Sequence, residues 1–248
     1  MPVQTAVSDT IATVTFGGTK GNSLPGALLR ELAATIESTA QRADVNVIVL
    51  RSEGEGPFCA GASFDELKSI ADEKTGKEFF LGFARVILAM TRAAKPIIVR
   101  IQGKTVGGGV GVAAAADYAI ATRAASIRLS ELAVGIGPFV VGPVIEHKIG
   151  RGPYSALALD ADWRTAEWAE RHGLYASVRE SVAELDEAVA ALAVRLARAN
   201  PEAVKRIKET VWGNTDHWPK LLDERAASSG SLVLSQFTRD AIASFEKR

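Results

Sequence analysis

Two stretches of this chain bring together residues that could bind a negative charge through backbone alone. In the first, the β-branched run Ile97-Ile98-Val99-Arg100-Ile101, opened by Pro96, leads through Lys104-Thr105-Val106 into Gly107-Gly108-Gly109-Val110-Gly111, then Val112-Ala113-Ala114-Ala115-Ala116. That is a strand turning into a helix, with four glycines in five positions allowing close approach of another group. The first amides of a helix have no partner within it, and the helix dipole there favours negative charge. The second stretch is Phe58-Cys59-Ala60-Gly61-Ala62-Ser63-Phe64, small residues again set between a strand and a helix. Two sets of amides at the carboxyl ends of neighbouring strands can converge on one oxygen, whether an anion or an oxyanion that develops during a reaction.

Other readings compete for these residues. A tight helix-on-sheet turn explains the glycines without any ligand. Gly109-Val110-Gly111-Val112-Ala113-Ala114 also spells a dinucleotide fingerprint, with Glu131 near the expected ribose-binding acid. Against that reading, the helix from Gly108 to Ala116 is short for a crossover, and the fingerprint normally follows the first strand of its domain. Glu131 by itself reads as a solvated carboxylate at a helix start. Asp65 and Glu66 complement a helix N-terminus or reach the pocket as acids. Cys59 is a small apolar filler, His147, His172 and His217 are surface or interface residues, and no His/Cys/Asp/Glu spacing suggests a metal site. Trp163, Trp168 and Trp218 read as core or subunit contacts, and Trp212 as a wall of an apolar pocket.

The elements that must position these groups alternate strand and helix. Ile11–Phe16 alternates like a half-buried strand, and Asn22-Ser23-Leu24-Pro25 starts a helix running to about Arg42 with Leu28, Leu29, Leu32 and Ile36 on one stripe. Val45–Arg51 is apolar on both faces, as a buried parallel strand requires. A helix over Phe79–Ala94 leads to the Ile97 strand, and Asp117–Thr122 and Ser126–Leu129 are short strands. The loop Gly135–Gly142 enters a helix over Val144–Ile149, and from Tyr154 onward the pattern is helical almost throughout. Helices are expected over Glu202–Val211, Trp218–Val233 and Gln236–Lys247, the first capped by Asn200-Pro201. The expectation is an α/β chain with a core over 1–195 and a helical region over 196–248 that builds oligomers.

The 248 residues suffice for a sizeable core, and 47% apolar with 23% charged residues is an ordinary globular composition. Lys plus Arg equals Asp plus Glu at 29 each, so no basic field attracts nucleic acid or anionic lipid. A single cysteine excludes an internal disulfide, and no apolar run approaches membrane-spanning length. A cytoplasmic protein with neither nucleic-acid nor membrane partners is expected.

Taken together, Asn22-Ser23-Leu24, Phe58-Cys59-Ala60-Gly61-Ala62, Gly103 with Gly107-Gly108-Gly109, Glu131, and the closing Phe245-Glu246-Lys247-Arg248 resemble the crotonase superfamily, the enoyl-CoA hydratase/isomerase fold. The resemblance spans nearly the whole chain. It implies a spiral of ββα units, a C-terminal helical region that builds a homotrimer or a dimer of trimers, and an acyl-CoA or enoyl-CoA substrate with no separate cofactor. It also implies that the amides of Ala62 and Gly108 hold the thioester oxygen and that Glu131 is the acid/base. Lys20, Ser23 and Ala60 would follow the CoA path, and Lys247 would reach a neighbouring subunit's CoA. Phe64, Val110, Phe139 and Val140 would line the acyl pocket by neighbourhood, with the bound thioester passing Gly111. Leu129, Val134, Ile136 and Phe139 would sheathe Glu131 and raise its pKa by desolvation.

The chain departs from the hydratase pattern at one place. Hydratases of this family carry a second glutamate just past the triple glycine, where this chain has Gly111. One remaining carboxylate favours double-bond isomerisation slightly over hydration. The alternatives are decarboxylation of a malonyl- or glutaconyl-type thioester, or a non-catalytic acyl-CoA binder.

Overall fold

A computed structural model describes residues 3–245 of the chain. Its centre is a six-stranded sheet in the order β1-β2-β3-β4-β6-β8, comprising β1 (Gln4–Ser8), β2 (Ile11–Phe16), β3 (Val47–Ser52), β4 (Ile97–Ile101), β6 (Tyr118–Thr122) and β8 (Ser177–Arg179). Only β1 runs antiparallel; from β2 onward each pairing is parallel. Parallel neighbours require crossovers, and the helices supply them. After the turn α1 (Thr19–Asn22), α2 (Gly26–Gln41) connects β2 to β3, and α3 (Phe64–Ser69) with α4 (Glu73–Arg92) connects β3 to β4. The seven-residue α5 (Gly108–Ala114) lies between β4 and β6, and a two-stranded parallel sheet joins β5 (Thr105–Val106) to β7 (Ile127–Arg128). Helices α6 (Gly142–Ile149), α7 (Arg151–Asp160) and α8 (Ala166–Arg171) precede β8, and α9 (Val182–Ala197), α10 (Pro201–Val211), α11 (Trp218–Leu232) and α12 (Gln236–Phe245) follow it.

The sheet is apolar on both faces. Ala12, Val14, Ile48, Leu50, Ile97 and Val99 pack with α2 and α4, while Val47, Val49, Ile98 and Ile120 pack with Leu185, Val189 and Leu192 of α9. This explains why β3 and β4 read as continuous apolar runs, whereas β2 alternates. The α2 helix begins without a side-chain cap of its own at Pro25. Glu66 of α3 supplies one instead, its Oε2 accepting from the Gly26 amide at 2.7 Å. Glu66 thereby joins α3 to the start of α2.

The C-terminal helices fold back on the same chain. Where α11 crosses α4, a Cβ on Gly230 would sit 2.5 Å from the Lys77 amide nitrogen, so only glycine allows the two backbones to meet. At the other end Lys208 of α10 is buried, donating to the carbonyls of Met90 and Lys95 and to Asp117 Oδ2 at 2.7 Å. Asp117 also accepts from the Ile97 amide and from Trp212 Nε1. One carboxylate thus ties α10 to the edge of β4.

Three features differ from the expectations. β1 forms an edge strand although Gln4–Ser8 is largely exposed, because pairing with β2 satisfies its backbone rather than burying side chains. β8 interrupts the helical C-terminal half, since three residues suffice to extend the parallel ladder beside β6. Helix α4 begins at Glu73, six residues before the expected Phe79, where Asp72 accepts from the Thr75 amide as its N-cap.

Candidate active site

The second small-residue stretch is held along both of its edges. Cys59 receives Val106 N–H at 2.8 Å and donates to the Lys104 carbonyl, placing it beside β5. On the opposite edge Ala60 donates to Gly21, the Leu24 amide donates to the Gly61 carbonyl at 2.8 Å, and Ser63 donates to the Leu24 carbonyl. Backbone groups alternate along an extended chain. With Gly61 and Ser63 facing Leu24, the Ala62 N–H faces the other way, toward the glycine turn.

That turn is built with equal constraint. Gly107 donates to the Arg128 carbonyl at 2.8 Å and sits at φ 53, ψ −121, a conformation that L side chains rarely adopt. This turns the chain so that Gly108 and Gly109 open α5 with amides that have no intrahelical partner. A side chain on Gly108 would overlap the Phe83 ring, and a Cβ on Gly109 would meet Cys59 Cβ at 2.6 Å. The glycines therefore let α5 settle against α4 and the 59–62 strand.

Ala62 and Gly108 lie on the wall of one cavity of about 130 Å³, with Ala60, Gly61, Phe64, Leu67, Phe80, Phe83, Val134, Ile136, Phe139, Val140 and Val141 among its lining. Glu131 is the single ionisable carboxylate among the described lining residues, and no lysine, arginine or histidine is among them. Its Oε1 would lie 3.1 Å from a Cβ on Gly107, so the carboxylate rests directly over the turn that carries Gly108. The backbone around it is fixed, because the Glu131 carbonyl accepts from Val134 and from Ile136 at 2.9 Å.

The residue as a whole is partly exposed, yet its Oε2 is buried and has no hydrogen-bond partner. Burial raises the Glu131 pKa from the ordinary 4.5 to about 7, against a smaller lowering by backbone hydrogen bonds at Glu131 and Ser130. A carboxylate so tuned is poised to accept and return a proton near neutral pH.

The structure thus brings together Ala60, Ala62, Phe64, Gly108, Glu131 and Phe139 on one cavity wall. Other expected residues fall elsewhere. Val110, the third residue of α5, is fully buried in the core and not on the cavity wall, because it packs within the main apolar cluster. Gly111 also lies off the wall: a Cβ there would sit 2.5 Å from Val141 Cγ1 and 2.8 Å from Val141 Cβ. Trp212 is no pocket wall either; it stacks on His147 and donates to Asp117 on the far side of α5. Asp65 is exposed and paired with Lys20 Nζ at 2.6 Å, while Glu66 caps α2, so neither carboxylate reaches the cavity. Lys20 and Ser23 border the Ala60–Ala62 edge outside the cavity, and Lys247 lies outside the described residues. Sequence reasoning missed Leu67, Phe80, Phe83, Val141 and Ser229. The stripe of Phe79, Phe80 and Phe83 on α4 was the available signal for the aromatic members; Ser229 offered none.

The parallel sheet with its crossover helices and returning C-terminal helices is the fold of the crotonase superfamily. The chain belongs to the enoyl-CoA hydratase/isomerase family, whose model matches residues 6–241. A probable enoyl-CoA hydratase of Bacillus subtilis (strain 168) is 26% identical over 249 residues, covering 99% of this chain and 96% of that one. The (E)-benzylidenesuccinyl-CoA hydratase of Thauera aromatica is 31% identical over 211 residues, covering 84% and 81%. Among solved structures, the enoyl-CoA hydratase from Bacillus halodurans superposes with a TM-score of 0.91 at 21% identity, over 98% of this chain and 100% of that one, a likeness of fold.

Proposed function

We propose that this protein moves the double bond of a short enoyl-CoA thioester, with Glu131 as its only acid/base and the Ala62 and Gly108 amides holding the enolate oxygen. The observation that carries this reading is the packing at position 111. Val141 occupies the volume that a side chain there would need, so the second glutamate of the hydratase pattern is absent and its place is closed. Hydration would require a second group to orient water, and Asp65 and Glu66 are engaged elsewhere.

In the proposed reaction the ionised Glu131 removes a proton from the carbon next to the thioester. The C–H electron pair moves into the bond to the carbonyl carbon, and the carbonyl oxygen takes the negative charge. The two amides stabilise that oxygen without ionising or rotating away; one such donor is worth about 3–4 kcal/mol in the transition state. The proton now on Glu131 returns to the carbon two bonds farther along, and the double bond migrates. No water is added and no cofactor beyond the substrate's own CoA is needed. The pKa near 7 serves both halves, since the group must be ionised to begin and protonated to finish. Lys20 and Ser23 would border the CoA path beside Ala60, and the helices after 196 would build the trimer or dimer of trimers through surfaces facing away from α4.

The test is incubation of β,γ- and α,β-enoyl-CoAs in heavy water, wild type beside Glu131→Gln, with products read by mass spectrometry. Deuterium uptake with bond migration, lost in the variant, supports the proposal. Gain of one water by the product overturns it in favour of hydration.

A further inference from the structure

Deepening the proposed function, we infer that the acyl group carries an uncharged oxygen substituent, a ketone or hydroxyl, which the Ser229 hydroxyl holds inside the cavity. Ser229 is on α11, and its residue surface is only 1% exposed, yet it lines the cavity that holds Glu131. Serines inside helices commonly bond the carbonyl one turn back. Neighbouring Ser228 does so, its Oγ donating to the Glu224 carbonyl at 3.2 Å. Ser229 makes no such bond, and its hydroxyl has no hydrogen-bond partner among the described residues. The hydroxyl is open to the cavity, so an apolar chain filling that space would strip its water, and a bound polar group would restore the bond.

The surroundings define what that group is. The lining supplies no lysine, arginine or histidine, and Glu131 already contributes the one negative charge, so an anionic substituent would be uncompensated. A purely hydrocarbon chain would leave the Ser229 hydroxyl unpaired in a wall that is aromatic and aliphatic apart from Ser130 and Glu131. An uncharged oxygen fits both constraints, because a serine hydroxyl can donate to a ketone or accept from an alcohol. The cavity of about 130 Å³ limits the length.

Saturated thioesters test this without turnover. Dissociation constants of pentanoyl-CoA and γ-oxopentanoyl-CoA are measured by calorimetry for wild type, Ser229→Ala and the control Ser228→Ala. Wild type and Ser228→Ala are expected to bind the oxo compound about 10- to 100-fold more tightly than the plain one, and Ser229→Ala to lose that preference. Ser229→Ala is also expected to be at least as resistant to urea as wild type when ligand-free, whereas a hydroxyl kept for structure would make it weaker. Equal binding of both thioesters by wild type, or an unchanged preference in Ser229→Ala, overturns the inference about Ser229 alone. Failure of wild type to bind either thioester overturns it together with the proposed function. A Ser229-dependent preference without catalysis of any enoyl-CoA leaves the inference standing and sinks only the reaction.

Discussion

The burial that prepares Glu131 for proton transfer should also cost the protein stability, and substitution by glutamine exposes that cost. Raising the carboxyl pKa from 4.5 to about 7 means the folded state holds this proton more tightly than the unfolded chain does. Between those values the folded protein retains a proton that the unfolded chain has released. Stability must therefore fall as pH rises through this window and stay lower above it. At about 1.4 kcal/mol for each tenfold change in proton affinity, the full cost is about 3 kcal/mol. Glutamine keeps the shape and never ionises. The stability advantage of Glu131→Gln over wild type should be near zero at about pH 4 and approach about 3 kcal/mol by about pH 8. For a chain of this size that is a Tm gain on the order of 6–12 °C at the upper pH. Urea titrations of both proteins across the range would measure it, and the same preparations would show the loss of activity. A difference that does not vary with pH would refute the reasoning, because it would mean the carboxylate is as well solvated folded as unfolded.

Three further outcomes are expected. Gly108→Ala pushes a methyl into the Phe83 ring and displaces an oxyanion-holding amide, so kcat should fall about 100- to 1,000-fold while CoA-thioester binding by calorimetry changes far less. Gly111→Ala meets Val141 at 2.5 Å and should lose about 1–3 kcal/mol in urea denaturation, despite alanine's better helix propensity. Val141→Ala in the same chain should return most of that loss. Asp117→Ala leaves the buried Lys208 ammonium facing only carbonyls and should destabilise the fold by about 3–5 kcal/mol, with Lys208→Met recovering part of it in the double variant.

Much of this site was visible in residue types and spacing. Glycine and small residues after two apolar strands specify close backbone approach whatever surrounds them, so the two turns that bring Ala62 and Gly108 to one cavity wall were legible. The crossover helices were equally legible, because a helix stripe such as Leu28, Leu29, Leu32 and Ile36 is a local pattern. Strands were harder where the ladder rather than the side chains stabilises them: β1 is mostly exposed and β8 is three residues long, and neither carries a hydrophobic period.

What only the tertiary structure decided is which side chains meet. Sequence left Glu66 between a helix N-terminus and the pocket and placed Trp212 in the pocket wall, but a carboxylate 2.7 Å from the Gly26 amide and an indole bonded to Asp117 are long-range contacts that no local pattern encodes. The absence of a second glutamate was legible at Gly111; that Val141 fills the vacancy was not. Ser229 carries no signal at all, since a serine inside a helix is ordinary until the fold sets it on a cavity wall. A raised Glu131 pKa was expected from the apolar residues Leu129, Val134, Ile136 and Phe139, but which carboxylate oxygen is buried belongs to the fold. The residue as a whole is partly exposed, and it is Oε2 that is buried without a partner. Sequence fixes the backbone geometry that can hold an oxyanion, because that depends on which residues lack side chains. Desolvation, and with it the chemistry of the carboxylate, depends on three-dimensional packing, which only the folded chain provides.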